Sequence, residues 1–151
     1  MKRKSNVPKK IWNDEGNRLY LTYPAQEYPE LENAVYSLNI DEYHRFYVVK
    51  ESESFIFEHK VYGLERALIN RVLKTYSKTT SGNIGILLNG LKGTGKTVTA
   101  KILCNELSQP VVIVNVKFGG AHLFLNTIPQ NVTIFIDEYE KIFGESADML
   151  T

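Results

Sequence analysis

Four side chains in this sequence have types and spacing suited to one piece of chemistry. Lys96 and Thr97 end a glycine-rich run, and Asp137 and Glu138 end an apolar one. The run Gly90-Leu91-Lys92-Gly93-Thr94-Gly95-Lys96-Thr97 fits G-x-x-x-x-G-K-[ST] at every fixed position. Such a loop can wrap phosphate oxygens with its own backbone, because glycine tolerates positive φ and brings no Cβ. Successive N–H groups then point inward, and a following helix adds its positive end. Lys96 is suited to neutralising β- and γ-phosphates, and the Thr97 hydroxyl to ligating Mg²⁺. Gly90 through Thr97, with Val98 behind them, form the candidate nucleotide-contacting set. A Gly/Lys-rich surface turn is the plain alternative.

The second pair follows Val132-Thr133-Ile134-Phe135-Ile136, forty positions beyond Thr97. A carboxylate at the tip of a buried strand is costly unless it meets a cation. A strand apolar on both faces suits the middle of a parallel sheet, at whose carboxyl ends ligands gather. Asp137 is therefore the candidate Mg²⁺-holding carboxylate, and Glu138 the candidate general base for an attacking water. A strand running out into a solvated acidic turn is the alternative.

Positioning these groups requires particular elements. Ile84-Gly85-Ile86-Leu87-Leu88 predicts a strand feeding the glycine loop, and residues 98–107 carry apolar residues at helical spacing, Val98 with Ile102 and Leu103 with Leu107. Strand, glycine loop, helix, strand, helix, then an apolar strand closed by Asp-Glu resembles the AAA+ ATPases over about residues 60–145. In that family the two segments are the Walker A and Walker B motifs. The resemblance implies an α/β fold, a P-loop NTPase parallel sheet flanked by helices, with ATP and Mg²⁺ as cofactors. It also implies self-association of the full-length protein into a ring that acts on a protein or nucleic-acid substrate.

Composition bounds the rest. A chain of 151 residues is one domain by prior, and 43% apolar with 11% aromatic residues can fill a core. The net charge of +1 favours no partner, but Lys2, Arg3, Lys4, Lys9 and Lys10 concentrate positive charge at the start. That reads as a solvated tail, or as a nucleic-acid contact. Cys104 alone permits no internal disulfide. Apolar runs stay well short of the ~18 residues of a membrane span, and no secretory h-region follows the basic start, so a cytoplasmic protein is expected. His44, His59 and His122 lack metal-ligand spacing.

Residues 1–17 are expected to be a flexible basic tail, 18–60 a small β-rich N-terminal region, and 61–151 the nucleotide-binding core. Within the β-rich region the pattern predicts strands over 18–23 and 35–40, and a hairpin of 45–50 with 54–59. It serves as an appendage or as an extension of the ATPase. A helix is predicted to about residue 78, with Ile69, Val72, Leu73 and Tyr76 as its buried stripe. The resemblance makes Tyr62 and Gly63, at the turn before it, candidate adenine contacts, although an ordinary helix start with a packed tyrosine accounts for them equally. After the strand predicted at 111–116, Lys117, Phe118 and Gly119 resemble the pore loop with which many AAA+ unfoldases grip polypeptide. Phe118 as a cover for the next helix is the competing reading.

The family pattern continues with a sensor strand, an arginine finger and a helical lid. None follows in the 14 residues after Asp137, so an incomplete AAA+ module with weak turnover by itself is expected. The sensor strand lies between the loop-feeding strand and the Asp-Glu strand in the family's sheet, and without it those two should not pair. The functional expectation is Mg-dependent ATP hydrolysis coupled to remodelling of a partner. A nucleotide-dependent switch without productive hydrolysis and a DNA-replication or helicase-loading ATPase are the alternatives. No N-K-x-D base-reading motif of GTPases is present.

Overall fold

A computed structural model of the chain describes residues 11–14, 19–22, 28–58, 66–115 and 119–139. The first strands, β1 (Ile11–Asp14) and β2 (Leu19–Thr22), pair antiparallel in a two-stranded sheet with Trp12 opposite Leu21. β structure therefore begins inside the stretch expected to be a flexible tail.

The main sheet holds β3 (Val35–Ile40), β4 (Phe46–Ser52), β5 (Val111–Ile113) and β6 (Thr133–Phe135) in the order β4-β3-β5-β6. β3, β5 and β6 run parallel, with Val35 beside Val111 and Val111 beside Thr133. β4 is antiparallel to β3, so the sheet is mixed. The N-terminal hairpin thus continues the sheet outward from β5.

The hairpin differs from the expected one. β4 pairs backwards with β3 and not forwards, and residues 53–58 form no strand. The turn explains the choice. The Asp41 carboxylate accepts from the Tyr43 and Arg45 backbone N–H groups at 2.9 and 2.8 Å and from Arg45 Nε at 2.8 Å, while His44 takes the left-handed conformation at φ 61°. An aspartate closing its own turn in this way fixes the reversal directly after Ile40. These bonds, led by the one from the Arg45 N–H, hold the Asp41 carboxyl below the usual carboxylate range.

Alternation along the strands gives the sheet two apolar faces. One face joins Val35, Val111 and Phe135 to Cys104, with Phe55, Ala100 and Ile113 against them. The other joins Leu38, Val112 and Val114 to Ala121, with Phe46, Phe124, Leu125 and Ile136 around them. Helix α2 (Lys96–Leu107) supplies Ala100 and Cys104 to the first face, and α3 (Ala121–Asn126) supplies Ala121 and Phe124 to the second. Helices therefore flank the sheet on both sides. Helix α1 (Arg66–Lys78) buries Ile69 completely and half-buries Val72, Leu73 and Tyr76, the predicted stripe. Arg66 of α1 pairs with Glu106 of α2.

One expected strand is not found. Residues 84–88 have no ladder partner among the described residues, and Ile86 and Leu87 are 43% and 79% exposed. Apolar β-prone residues become a strand only beside another strand. β6 pairs with β5 alone, so among the described residues its other edge has no strand beside it.

Candidate phosphate-binding site

The glycine-rich loop turns from residue 90 into α2 through two left-handed glycines, Gly93 at φ 83° and Gly95 at φ 82°. Neither position is crowded, since a Cβ there would meet nothing within 4 Å. Glycine is required at both by the backbone conformation itself. Gly95 caps α2, and no side-chain bond caps that helix end. A helical bond across the cap runs from Thr99 N to Gly95 O at 2.9 Å. The N–H groups of the first turn thus face the loop without a side-chain acceptor, the arrangement that favours an anion.

Inside the loop, the Lys96 ammonium donates to the Gly90 and Leu91 carbonyls, each at 2.7 Å. The Thr94 hydroxyl also donates to Leu91 O, at 2.9 Å, and Gly90 N donates to Asn89 Oδ1 at 2.8 Å. Lys96 is therefore folded over the loop and held by neutral carbonyl oxygens, which a phosphate oxygen outcompetes electrostatically. Leu91 is no part of any core at 82% exposure, and residues 92–95 are likewise exposed.

The acidic pair meets this loop. The Thr97 hydroxyl donates to Asp137 Oδ1 at 3.1 Å, and Glu138 N donates to the same oxygen at 3.0 Å. Asp137 and Thr97 are half-buried, whereas Glu138 is exposed. Glu138 adopts φ 51°, a conformation that costs a non-glycine residue about 1–2 kcal/mol. The chain thereby turns after Asp137, with the Asp137 carboxylate half-buried and Glu138 exposed. Among the described residues, no three His, Cys, Asp or Glu side chains cluster as a ready-made metal cage. A hydroxyl and one carboxylate still suit Mg²⁺, which keeps several waters and takes much of its coordination from phosphates.

Of the residues singled out in the sequence, Gly90 through Val98, Asp137 and Glu138 come together here. Gly119 is exposed in the turn before α3. Tyr62, Gly63, Lys117 and Phe118 lie outside the described residues. Three side-chain amides escaped the sequence reading. Asn105 exchanges two bonds of 2.9 Å with the backbone of Phe55. Gln130 does the same with Leu31 at 2.7 and 3.1 Å. Gln109 accepts from the Tyr76 hydroxyl at 2.5 Å and donates to Thr133 Oγ1 at 2.7 Å. No local pattern announces a glutamine or asparagine that binds a distant backbone. Asn89 could have been noticed, as an amide directly before the first loop glycine.

No described helix is long and apolar enough to cross a membrane. Neither a curated protein nor a solved structure matches the chain. One family model does match, over residues 86–150, that of the ATPase family associated with various cellular activities, AAA. That span takes in the glycine loop, α2, β5, α3, β6 and the acidic pair. With a glycine cradle, a helix end that no side chain caps and a carboxylate bonded to the loop's threonine, residues 86–150 are similar to the AAA ATPase family, which supports a nucleotide-binding segment of the ATPase type.

Proposed function

We propose that this chain binds ATP with Mg²⁺ at the loop of residues 90–97 and carries the groups for hydrolysing it. The observation that supports the reading most is the bond from the Thr97 hydroxyl to Asp137 Oδ1, which joins the two candidate Mg²⁺-holding groups across forty positions. Mg²⁺, when bound, would offset charge on the phosphates. Lys96 would exchange its two carbonyl acceptors for phosphate oxygens, and the amides of the α2 first turn would bind others. Thr97 and Asp137 would hold the metal. Glu138 would orient the attacking water and accept its proton.

Family resemblance extends the proposal to assembly. The protein would form a ring and remodel a protein or nucleic-acid partner, with Lys117, Phe118 and Gly119 as the polypeptide-gripping loop and Tyr62 and Gly63 as base contacts.

The test is a thermal melt of the purified chain. ATP with Mg²⁺ at about a hundred times its Kd should raise the Tm by roughly 5–10 °C, and Lys96→Ala should remove the shift. In a protein that turns ATP over, Glu138→Gln should keep binding and lose turnover. A wild-type melt indifferent to ATP would end the proposal.

A further inference from the structure

We propose that Phe55 and Asn105 are positioning residues that set the spacing between α2 and β6, and with it the meeting of Thr97 and Asp137. This rests on the Mg-nucleotide reading given above. Thr97, Lys101 and Asn105 stand at i, i+4 and i+8 along α2. The Asn105 amide imitates a strand partner, accepting from Phe55 N and donating to Phe55 O, both at 2.9 Å. Residue 55 belongs to no helix or strand, yet both of its main-chain polar groups are held by α2.

The ring so anchored reaches the other element. Its centroid lies 5.4 Å from that of Phe135, tilted by 52°, and the Lys101 ammonium lies over it at 5.4 Å. Phe135 is buried in β6 two residues before Asp137, in the same cluster as Cys104 of α2. Phe55 is thus a wedge, hydrogen-bonded to the helix that starts at the loop and packed on the strand that ends at the acidic pair.

The consequence is selective. The phosphate cradle is local to residues 90–97 and the first turn of α2, so a small spreading of α2 from β6 leaves it intact. The Mg²⁺ groups come from both elements, and Mg²⁺ demands near-ideal octahedral geometry with ligands at about 2.0–2.1 Å. Loosening the wedge should therefore weaken metal binding first and the nucleotide cradle last.

The experiment measures ATP affinity of the full chain in excess EDTA and across a Mg²⁺ titration. Asn105→Ala is expected to raise the Mg²⁺ concentration for half-maximal enhancement on the order of tenfold, the lower end for groups that orient metal ligands, with the EDTA affinity within about twofold of wild type. Phe55→Tyr, which keeps both backbone bonds and the ring, should keep the wild-type midpoint. An unchanged midpoint in Asn105→Ala, or equal losses with and without Mg²⁺, overturns the proposal. If Asn105→Ala does not fold, Phe55→Leu gives the same readout with both bonds kept, and an unchanged midpoint there overturns it equally. Asp137→Ala separates the two levels. If it keeps the Mg²⁺ enhancement, the reading of the site fails and the proposal with it. If it loses the enhancement while Asn105→Ala and Phe55→Leu keep theirs, the proposal alone fails.

Discussion

Thr97 and Asp137, forty positions apart, share a hydrogen bond of 3.1 Å from the threonine hydroxyl to one carboxylate oxygen. That oxygen also accepts from Glu138 N at 3.0 Å. Two donors on one oxygen orient the carboxyl plane, so the end of β6 is referenced to the first turn of α2. The glycine loop and the acidic pair are therefore one structural unit.

The hydroxyl, more than the bulk of the side chain, should matter at residue 97. Thr97→Ser is expected to keep the Mg²⁺ enhancement of ATP binding, and the near-isosteric Thr97→Val to lose about tenfold of it. Calorimetric titration with and without Mg²⁺ reads the difference.

Glu138 carries backbone strain at φ 51°. Glu138→Gly and Glu138→Ala both lose the carboxylate, but only glycine relieves that conformation. The glycine variant should be the more stable of the two by about 0.5–1 kcal/mol in urea melts.

Burial pushes the Cys104 thiol up to about 11. A folded value above the unfolded one means that the native state keeps its proton longer. This contribution to stability is whole below the ordinary thiol value of about 8.5 and is lost as pH rises through about 11. Denaturant melts should show falling stability across that window. At about pH 8 the native thiol should react with a disulfide reagent at least about a hundredfold more slowly than free cysteine, and at the free rate once unfolded.

Ile69 is fully buried and Ile56 is 84% exposed. Ile69→Ala should cost about 2–5 kcal/mol, and Ile56→Ala should stay within about 0.5 kcal/mol of wild type. Equal effects in chemical melts would contradict the burial of the α1 stripe.

What could be read from the sequence was local. The glycine loop carries its conformation in its residue types, α2 shows helical spacing, and the apolar run before Asp137 marks β6. The stripe on α1 was equally plain, since Ile69, Val72, Leu73 and Tyr76 repeat at one helical face. Long-range choices were hidden. β4 had two possible partners of similar β propensity, and the Asp41 turn decided between them. The pairing of β3 with β5 depends on a strand edge that no local window contains. Residues 84–88 look like a strand by composition, but composition cannot supply a neighbour. The amides of Asn105 and Gln130 were invisible because each recognises backbone, which every residue has.

The stitching of Leu31 to Gln130 spans 99 positions, and the β3–β5 ladder joins Val35 to Val111 across a shorter but still long stretch. At about 5–20 residues synthesised per second, the stretch from Val35 to Val111 takes roughly 4–15 s, so the β3–β4 hairpin is made well before its β5 partner exists. Through that interval the edge of β3 waits unpaired, open to the wrong neighbour. Chaperone demand and yield should accordingly depend on how fast the middle of the message is translated.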